Sequence, residues 1–347
     1  MMMATASITV RPAMPSRCGG FPGPRAPAPG AAAVAFGRRP GALERSLACQ
    51  ATVLVTGGAG FVGSHVAEAL LAQGTDVVLV DDLTDNAVDV FPSGTYGGDR
   101  KLANVELVRA AAQCEGAGGL HVAMESFADR SAMAELFAAH PIDAVCHMGA
   151  RAGVRPSLEC PEDYVHVNIT GTTILLDLAA KAKCTNFVYA SSSSVYGERA
   201  PGGKGDMVPF LETDDASAQI SPYATTKRAT ELMATTYSML HGLPTTGLRF
   251  FTVYGPRGRP DMALLKFVQL ALDGKPVQQY GDGSSWRDYT YISDVVDGVI
   301  GALRHPLPPG PNPSTVLNLG CGTPVRLHEF ISSLQEVMGE EMVVEVA

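Results

Sequence analysis

Four glycines crowd into the eight residues from Thr56 to Gly63 (TGGAGFVG), and this turn constrains the fold more than any other feature of the chain. It follows Thr52–Thr56 (TVLVT), a short β-branched apolar run of the kind found in buried parallel strands. After it come an amphipathic stretch to Ala72, closed at Gly74, and a second apolar run, Asp76–Val80, leading into Asp81 and Asp82. The order is strand, glycine turn, helix, strand. One glycine makes a tight turn, one lets the backbone approach a pyrophosphate, and one lets helix and strand pack closely. The helix N-terminus beyond them offers unpaired N–H groups and a positive dipole end to phosphate. Gly57, Gly60, Phe61, Val62 and Gly63 are the expected cradle. Asp81, 18 residues after Gly63, ends the second strand where a carboxylate can hold adenine ribose hydroxyls. Its charge would repel a 2′-phosphate, so the expected cofactor is NAD.

Strand and helix patterns go on alternating, which predicts an α/β fold with a doubly wound parallel sheet of the Rossmann kind. A helix is expected over residues 131–139, a strand at Ile142–His147, a helix over 162–183 and a strand over 186–190. Residues 109–124 are rich in alanine and glycine without a clear period, and are expected to form an irregular surface insertion. Residues 342–346 read as a strand, and there is no internal repeat.

Two features downstream carry reactive groups. Ser191, Ser192, Ser193 and Ser194 precede Val195-Tyr196-Gly197 directly after the strand over 186–190, which puts hydroxyls at the carboxyl edge of the sheet. Tyr223-Ala224-Thr225-Thr226-Lys227 opens a long helical segment after Pro222. Positions i and i+4 share a helix face, so phenol and ammonium lie side by side. A neighbouring cation favours the phenolate and suits the tyrosine to remove a proton from a hydroxyl. Either motif alone is common in ordinary loops and helix faces; their order behind a dinucleotide turn is what points to chemistry.

The first 48 residues are a different kind of polymer. They hold Arg11, Arg17, Arg25, Arg38, Arg39 and Arg45, no lysine and a single acid, Glu44, in an Ala/Pro/Gly/Ser-rich background. Such a segment cannot bury enough surface to offset its ordering entropy and is expected to be disordered. Basic and nearly acid-free, it fits a transit peptide, and Pro22, Pro24, Pro27 and Pro29 favour a plastid over a mitochondrion. A cytoplasmic protein with a disordered extension is the alternative. The expected division is therefore a targeting segment, 1–48, and an enzyme domain, 49–347, in which later segments interleave to build a substrate lobe.

The formal charge of −9 splits into +5 on residues 1–48 and −14 on the remainder. A body that acidic argues against nucleic acid as a partner. The seven cysteines (18, 49, 114, 146, 160, 184 and 321) are odd in number, scattered and never in a C-x-x-C pair. They read as reduced thiols, mostly in the core, with no metal site. No run of 18 apolar residues occurs, so no membrane span is expected.

From Thr52 onward the sequence resembles the extended short-chain dehydrogenase/reductases, and among them the UDP-glucuronate 4-epimerases. The likeness rests on the glycine turn, Ala152-Gly153-Val154-Arg155, YASSSSVYG over 189–197, Tyr223 to Lys227, GLPTTGLRFFTVYGPRGRPD over 242–261, and Arg287-Asp288-Tyr289-Thr290-Tyr291-Ile292. It implies NAD as cofactor, a UDP-sugar substrate and a homodimer. By the same resemblance Asp81 and Asp82 mark the ribose-binding strand end, and Tyr223 is the catalytic base. Lys227 holds the nicotinamide ribose and tunes that base, and Ser192 hydrogen-bonds the reacting C4 oxygen. Ser193 and Ser194 line the sugar pocket, Thr252 and Arg259 hold the glucuronate carboxylate, and Arg287 meets the diphosphate.

The chain departs from the family pattern in places. Gly149-Ala150-Arg151 stands where relatives carry Ala-Ala-Gln, and Ser126, before Phe127, where an aspartate commonly meets the adenine. Relatives also continue past the position of Ala347, so the substrate lobe is expected to be incomplete. Related decarboxylases and dehydratases place an acid just before Val-Tyr-Gly; Ser193 and Ser194 offer none, which favours epimerisation of UDP-glucuronate through a transient 4-ketone. The alternatives are UDP-glucose 4-epimerase, UDP-glucuronate decarboxylase and, from another class, a non-catalytic NAD-binding protein.

Overall fold

The computed structural model describes residues 51–84, 98–197, 209–279, 282–339 and 341–346. The expected targeting segment, 1–48, lies outside the described residues. The nucleotide-binding half runs β1 (Thr52–Thr56), α1 (Phe61–Leu71), β2 (Asp76–Val80), α2 (Gly98–Ala111), β3 (Leu120–Ala123), α3 (Arg130–Ala139) and β4 (Ile142–His147). Then come α4 (Val154–Glu159), α5 (Pro161–Tyr164), a π-helical segment Val165–Gly171, α6 (Thr172–Ala182) and β5 (Asn186–Ser192), which ends in a 3-10 turn, Ser193–Tyr196. The rest comprises α7 (Pro222–His241), β6 (Thr245–Phe250), β7 (Thr252–Tyr254), α8 (Ala263–Leu272), β8 (Val277–Gln279) and β9 (Trp286–Arg287). It closes with β10 (Tyr289–Tyr291), α9 (Ile292–Arg304), β11 (Ser314–Leu319), β12 (Val325–Arg326), α10 (Leu327–Met338) and β13 (Val344–Val346).

Among the described residues seven strands form one parallel sheet in the order β11-β6-β5-β4-β1-β2-β3. This is the doubly wound sheet the sequence implies. Each strand alternates its apolar residues between two cores. Val53, Val55, Val77, Leu79 and Cys146 face the side packed with Val66, Leu70, Val295 and Val299 of α1 and α9. Leu54, Val78, Val80 and Val145 face the side packed with Met133, Leu175, Leu176 and Ala234 of α3, α6 and α7. The strand order reverses between β1 and β4, and a crevice opens outside their carboxyl ends, where such sheets bind ligands.

Residues 109–124 do not form the irregular insertion expected of them. They finish α2 and form β3, the edge strand beside β2. β3 has four residues, and Ala123 is buried while His121 is exposed, so it leaves almost no period to read. The helix expected over 162–183 is broken by the π-helical segment at Val165–Gly171, where the Asn168 carbonyl accepts the Thr172 hydroxyl (2.5 Å). Such bulges recur at functional sites.

Smaller paired strands, β7 with β10, β9 with β12 and β8 with β13, accompany α8 and α10. Phe267, Val277, Ile331 and Met342 form a small core of their own there. Of the five described cysteines only Cys146 and Cys184 are buried. Cys114, Cys160 and Cys321 are exposed, contrary to the expectation of mostly core thiols, and none of the five forms a disulfide.

Candidate active site

The glycine turn brings β1 against the loop after β4. Gly57 has φ +64°, and a Cβ there would fall 2.6 Å from the Gly149 Cα; a Cβ on Gly63 would fall 2.1 Å from the Gly57 carbonyl oxygen. These positions admit glycine alone, as close backbone approach to a ligand requires. The turn closes by Gly60 N–H donating to the Gly57 carbonyl (2.9 Å), and α1 begins at Phe61 with no side chain capping it. The Gly57–Gly63 cradle fits an NAD pyrophosphate, because this close-packed turn brings the uncapped N-terminus of α1 to the wall of the cleft.

Asp81 is 4% exposed at the end of β2. Its Oδ2 accepts the Ala59 N–H (3.1 Å), and its Oδ1 accepts the Leu83 N–H (2.9 Å) and the Lys101 ammonium (2.8 Å). Besides facing the cleft, Asp81 therefore braces the glycine turn. Asn104, one helical turn after Lys101, donates to the Ala59 carbonyl (2.9 Å). Sequence reading missed both α2 residues because nothing in the pattern placed that helix beside the turn. Asp82 is exposed and accepts the Thr84 N–H (2.9 Å).

The residues expected to carry the chemistry come together where β5 meets α7. Ser221 caps α7 by accepting the Ala224 N–H (3.2 Å), and Pro222 occupies the first turn, which sets Tyr223 at the helix mouth. Burial raises the Tyr223 phenol above its ordinary value, while a hydrogen bond with Ser192 and the charge of Arg259 pull it down. Lys227 is 5% exposed and donates its ammonium to the Ala190 carbonyl (2.8 Å). Burial pushes it down to about 8, opposed by Glu231. Ser192 Oγ donates to Ser194 Oγ (3.1 Å) and accepts the Ser194 N–H (3.2 Å), which shapes the 3-10 turn.

His147 ends β4 in a buried chain of hydrogen bonds. The Thr172 hydroxyl gives its proton to the Asn168 carbonyl, so it accepts from His147 Nε2 (2.9 Å). Nδ1 therefore accepts from the Thr56 hydroxyl (2.6 Å), whose oxygen in turn accepts the Gly149 N–H (3.2 Å). Burial drives the imidazole down to about 3, so it stays neutral. The Asn168 side chain bonds the Arg151 N–H, the Arg151 carbonyl and the Thr226 hydroxyl, which joins this chain to α7. Arg151 is ion-paired with Asp163 (2.6 Å).

On the side expected to hold the substrate, Thr252 opens β7 and donates its N–H to the Asp288 carbonyl (3.0 Å). Arg259 grips Asp261 through Nε (3.0 Å) and Nη2. Arg257 holds Glu68 (2.7 Å) and Ser64 (3.1 Å) of α1, tying this segment to the dinucleotide helix. Arg287 is exposed on β9 and donates to the Trp286 carbonyl (2.8 Å). Asp288, which the sequence did not single out, accepts the Cys321 and Gly322 N–H groups (2.9 and 2.8 Å).

One cleft of about 1570 Å³ joins these parts. Its wall includes Gly57, Gly60, Phe61, Val62, Gly63, Asp81 and Asp82 at one end, Ser192, Ser193, Ser194, Tyr223 and Lys227 in the middle, and Thr252, Arg259 and Arg287 at the other. Every site residue expected from the sequence lines it. Pockets for a single drug-sized ligand run to roughly 300–1,000 Å³, so this one has room for a dinucleotide and a second ligand. Among the described residues no cluster of three or more metal-ligating side chains occurs, and no helix is long and apolar enough to cross a membrane.

Comparison with known proteins agrees with this architecture. The chain is 37% identical to the UDP-glucuronate 4-epimerase of Thermodesulfobacterium geofontis, over 83% of this chain and 81% of that one. It superposes on the Bacillus cereus UDP-glucuronic acid 4-epimerase in complex with UDP-glucuronic acid and NAD with a TM-score of 0.68, at 31% identity over 85% of each chain. The Thermotoga maritima UDP-glucose 4-epimerase with UDP-glucose gives 0.69, at 30% identity over 85% of each chain. Residues 53–320 match the NAD dependent epimerase/dehydratase family. With its glycine turn, Ser192, Tyr223 and Lys227 in one cleft of a doubly wound sheet, this chain belongs to the NAD dependent epimerase/dehydratase family.

Proposed function

We propose that this chain interconverts UDP-glucuronate and UDP-galacturonate by NAD-dependent epimerisation at C4. The observation that carries the reading is the single cleft in which the glycine turn and Asp81 sit at one end, Ser192, Tyr223 and Lys227 at the centre, and Thr252 and Arg259 at the other. Bound NAD supplies a reversible hydride acceptor at the sugar C4. Tyr223 takes the proton of the C4 hydroxyl on its phenolic oxygen and later returns it. Ser192 hydrogen-bonds that same oxygen on the sugar and helps hold the tyrosine below the value burial alone would give it. Lys227 keeps a positive charge beside the nicotinamide ribose up to about pH 8. Thr252 and Arg259 hold the sugar carboxylate, which restrains loss of carbon dioxide from the β-keto acid. Ser193 and Ser194 line the sugar pocket without an acid, which counts against a decarboxylase or dehydratase.

A second reading, epimerisation of a neutral UDP-hexose, gains support from one feature. Arg259 is already paired with Asp261, so part of its charge is answered before any carboxylate arrives. Incubating the protein with UDP-glucuronate and with UDP-glucose and separating the products by chromatography decides between them. Turnover of UDP-glucuronate alone supports the first reading; equal turnover of both rejects the carboxylate assignment.

The same proposal includes a homodimer. Leu232 and Met239, seven residues apart on one face of α7, are 55% and 61% exposed, and Leu158 and Val165 near α7 are exposed too. Apolar residues left in solvent on such a face suit a second copy of the chain. Light scattering reads the mass directly. Residues 1–48 are proposed to direct the protein to plastids, and a fluorescent reporter fused to them that stays in the cytosol would reject this.

A further inference from the structure

One buried acid, Glu231, has no part in the proposed chemistry. Glu231 is 1% exposed, one helical turn beyond Lys227 and two beyond Tyr223 on the same face of α7. Its carboxylate takes four hydrogen bonds. Arg249 donates from Nε to Oε1 (2.8 Å) and from Nη2 to Oε2 (2.9 Å). Arg228 donates to Oε2 (2.7 Å), and the Ser191 hydroxyl donates to Oε1 (2.7 Å). Ser191 and Arg249 stand opposite each other in the register of β5 and β6, so one carboxylate clamps two strand ends to the helix.

The clamped strand end serves the site on both sides. The Ala190 carbonyl holds the Lys227 ammonium, and Ser192 meets the Tyr223 phenol. Stability alone is a poor reason for this arrangement, because well-packed apolar residues in place of a buried ion pair are often neutral or stabilising.

We propose that Glu231 and Ser191 are positioning residues: by clamping β5 against α7 they set the spacing between Ser192 and the pair Tyr223 and Lys227. This rests on the epimerase reading for its kinetic consequence, but not on the identity of the sugar. Glu231 is also the negative charge nearest the Lys227 ammonium along its helix. Titratable and charged groups packed around the pair include Tyr223 on α7, Tyr189 on β5, neutral His147 on β4 and, behind Glu231, Arg228 and Arg249. Removing the carboxylate leaves burial and the two guanidinium groups unopposed, so the ammonium loses its proton at lower pH.

Three measurements on the full chain loaded with NAD test this: thermal unfolding, kcat and KM for UDP-glucuronate against pH, and an ultraviolet difference titration of Tyr223 referenced to Tyr223→Phe. Ser191→Ala leaves the Glu231–Arg249 pair in place. It should keep the melting temperature and KM near the original, lower kcat about tenfold, and raise the pH at which Tyr223 ionises. Glu231→Gln should move the alkaline limb of kcat to lower pH. Folded variants with unchanged kcat, pH limb and tyrosine titration overturn the proposal, as does a loss of kcat that only tracks loss of folded protein. If the unmutated chain turns over no UDP-sugar while Ser191→Ala still shifts the tyrosine titration, the functional reading has failed and the positioning one stands.

Discussion

The ring of Phe127 stands where a side chain on Gly149 would have to go: a Cβ built at Gly149 falls 2.8 Å from Phe127 Cε1 and 3.0 Å from the Gly57 nitrogen. Gly171 leaves room for the far edge of the same ring, at 2.6 Å from Cε2. The glycine at 149 is thus matched to the aromatic at 127. Gly149→Ala should destabilise the protein by about 1–3 kcal/mol through overpacking and weaken NAD retention. Phe127→Ile in the same chain should recover most of both. Urea unfolding and cofactor content after gel filtration measure the two effects, and additive losses in the double variant would break the link.

Tyr223→Phe removes the proton acceptor and leaves the glycine turn, Asp81 and the Lys227–Ala190 contact intact. Turnover should fall by at least about 10²-fold, in the range general acid–base groups contribute, while NAD stays bound. A Phe variant that epimerises at the original rate removes Tyr223 from the chemistry.

Arg259 decides the sugar if the glucuronate reading holds. Its loss in Arg259→Ala removes a charged contact contributing on the order of 1.5–3 kcal/mol, so preference for UDP-glucuronate over UDP-glucose should shrink about ten- to a hundredfold. Asp261, left without its partner, adds repulsion of the carboxylate in the same direction. The ratio of kcat/KM for the two sugars is the readout, and an unchanged ratio removes Arg259 from recognition.

His147 ties stability to pH. Its folded value of about 3 lies below the ordinary 6.5, so folding disfavours the protonated ring. The stability at stake is fully present above pH 6.5 and drains away as pH falls towards 3, on the order of a few kcal/mol in all. His147→Gln should be less stable than the original at pH 7 yet lose stability less steeply on acidification. Urea midpoints at pH 7, 6, 5 and 4 compare the slopes, and parallel slopes would contradict the buried neutral imidazole.

Much of the site was legible because its chemistry is local in sequence. The turn from Gly57 to Gly63 needs glycines where the backbone touches itself or a ligand, and a period of four sets Tyr223 beside Lys227. β1, β2 and β4 were read to the residue, since a strand buried on both faces leaves a solid apolar run. β3 escaped notice, because an edge strand of four residues with an exposed histidine has neither run nor alternation. Exposed cysteines were misjudged for a related reason: residue type gives a mean burial, and the exposure of Cys160 or Cys321 depends on what packs over it.

Sequence alone determined β1, α1, β2 and β4 in their order, the glycine turn and the spacing of Tyr223 from Lys227, because each depends on neighbours within a few residues. Tertiary structure decided who holds whom. Lys101 and Asn104 reach the glycine turn from α2, and Glu231 clamps Ser191 and Arg249 across two strands and a helix. Phe127 claims the space of a side chain at 149, and Asp261 takes the face of Arg259. Such pairings join residues brought together by packing, and a buried charge or a filled void is settled only once the chain has closed around it.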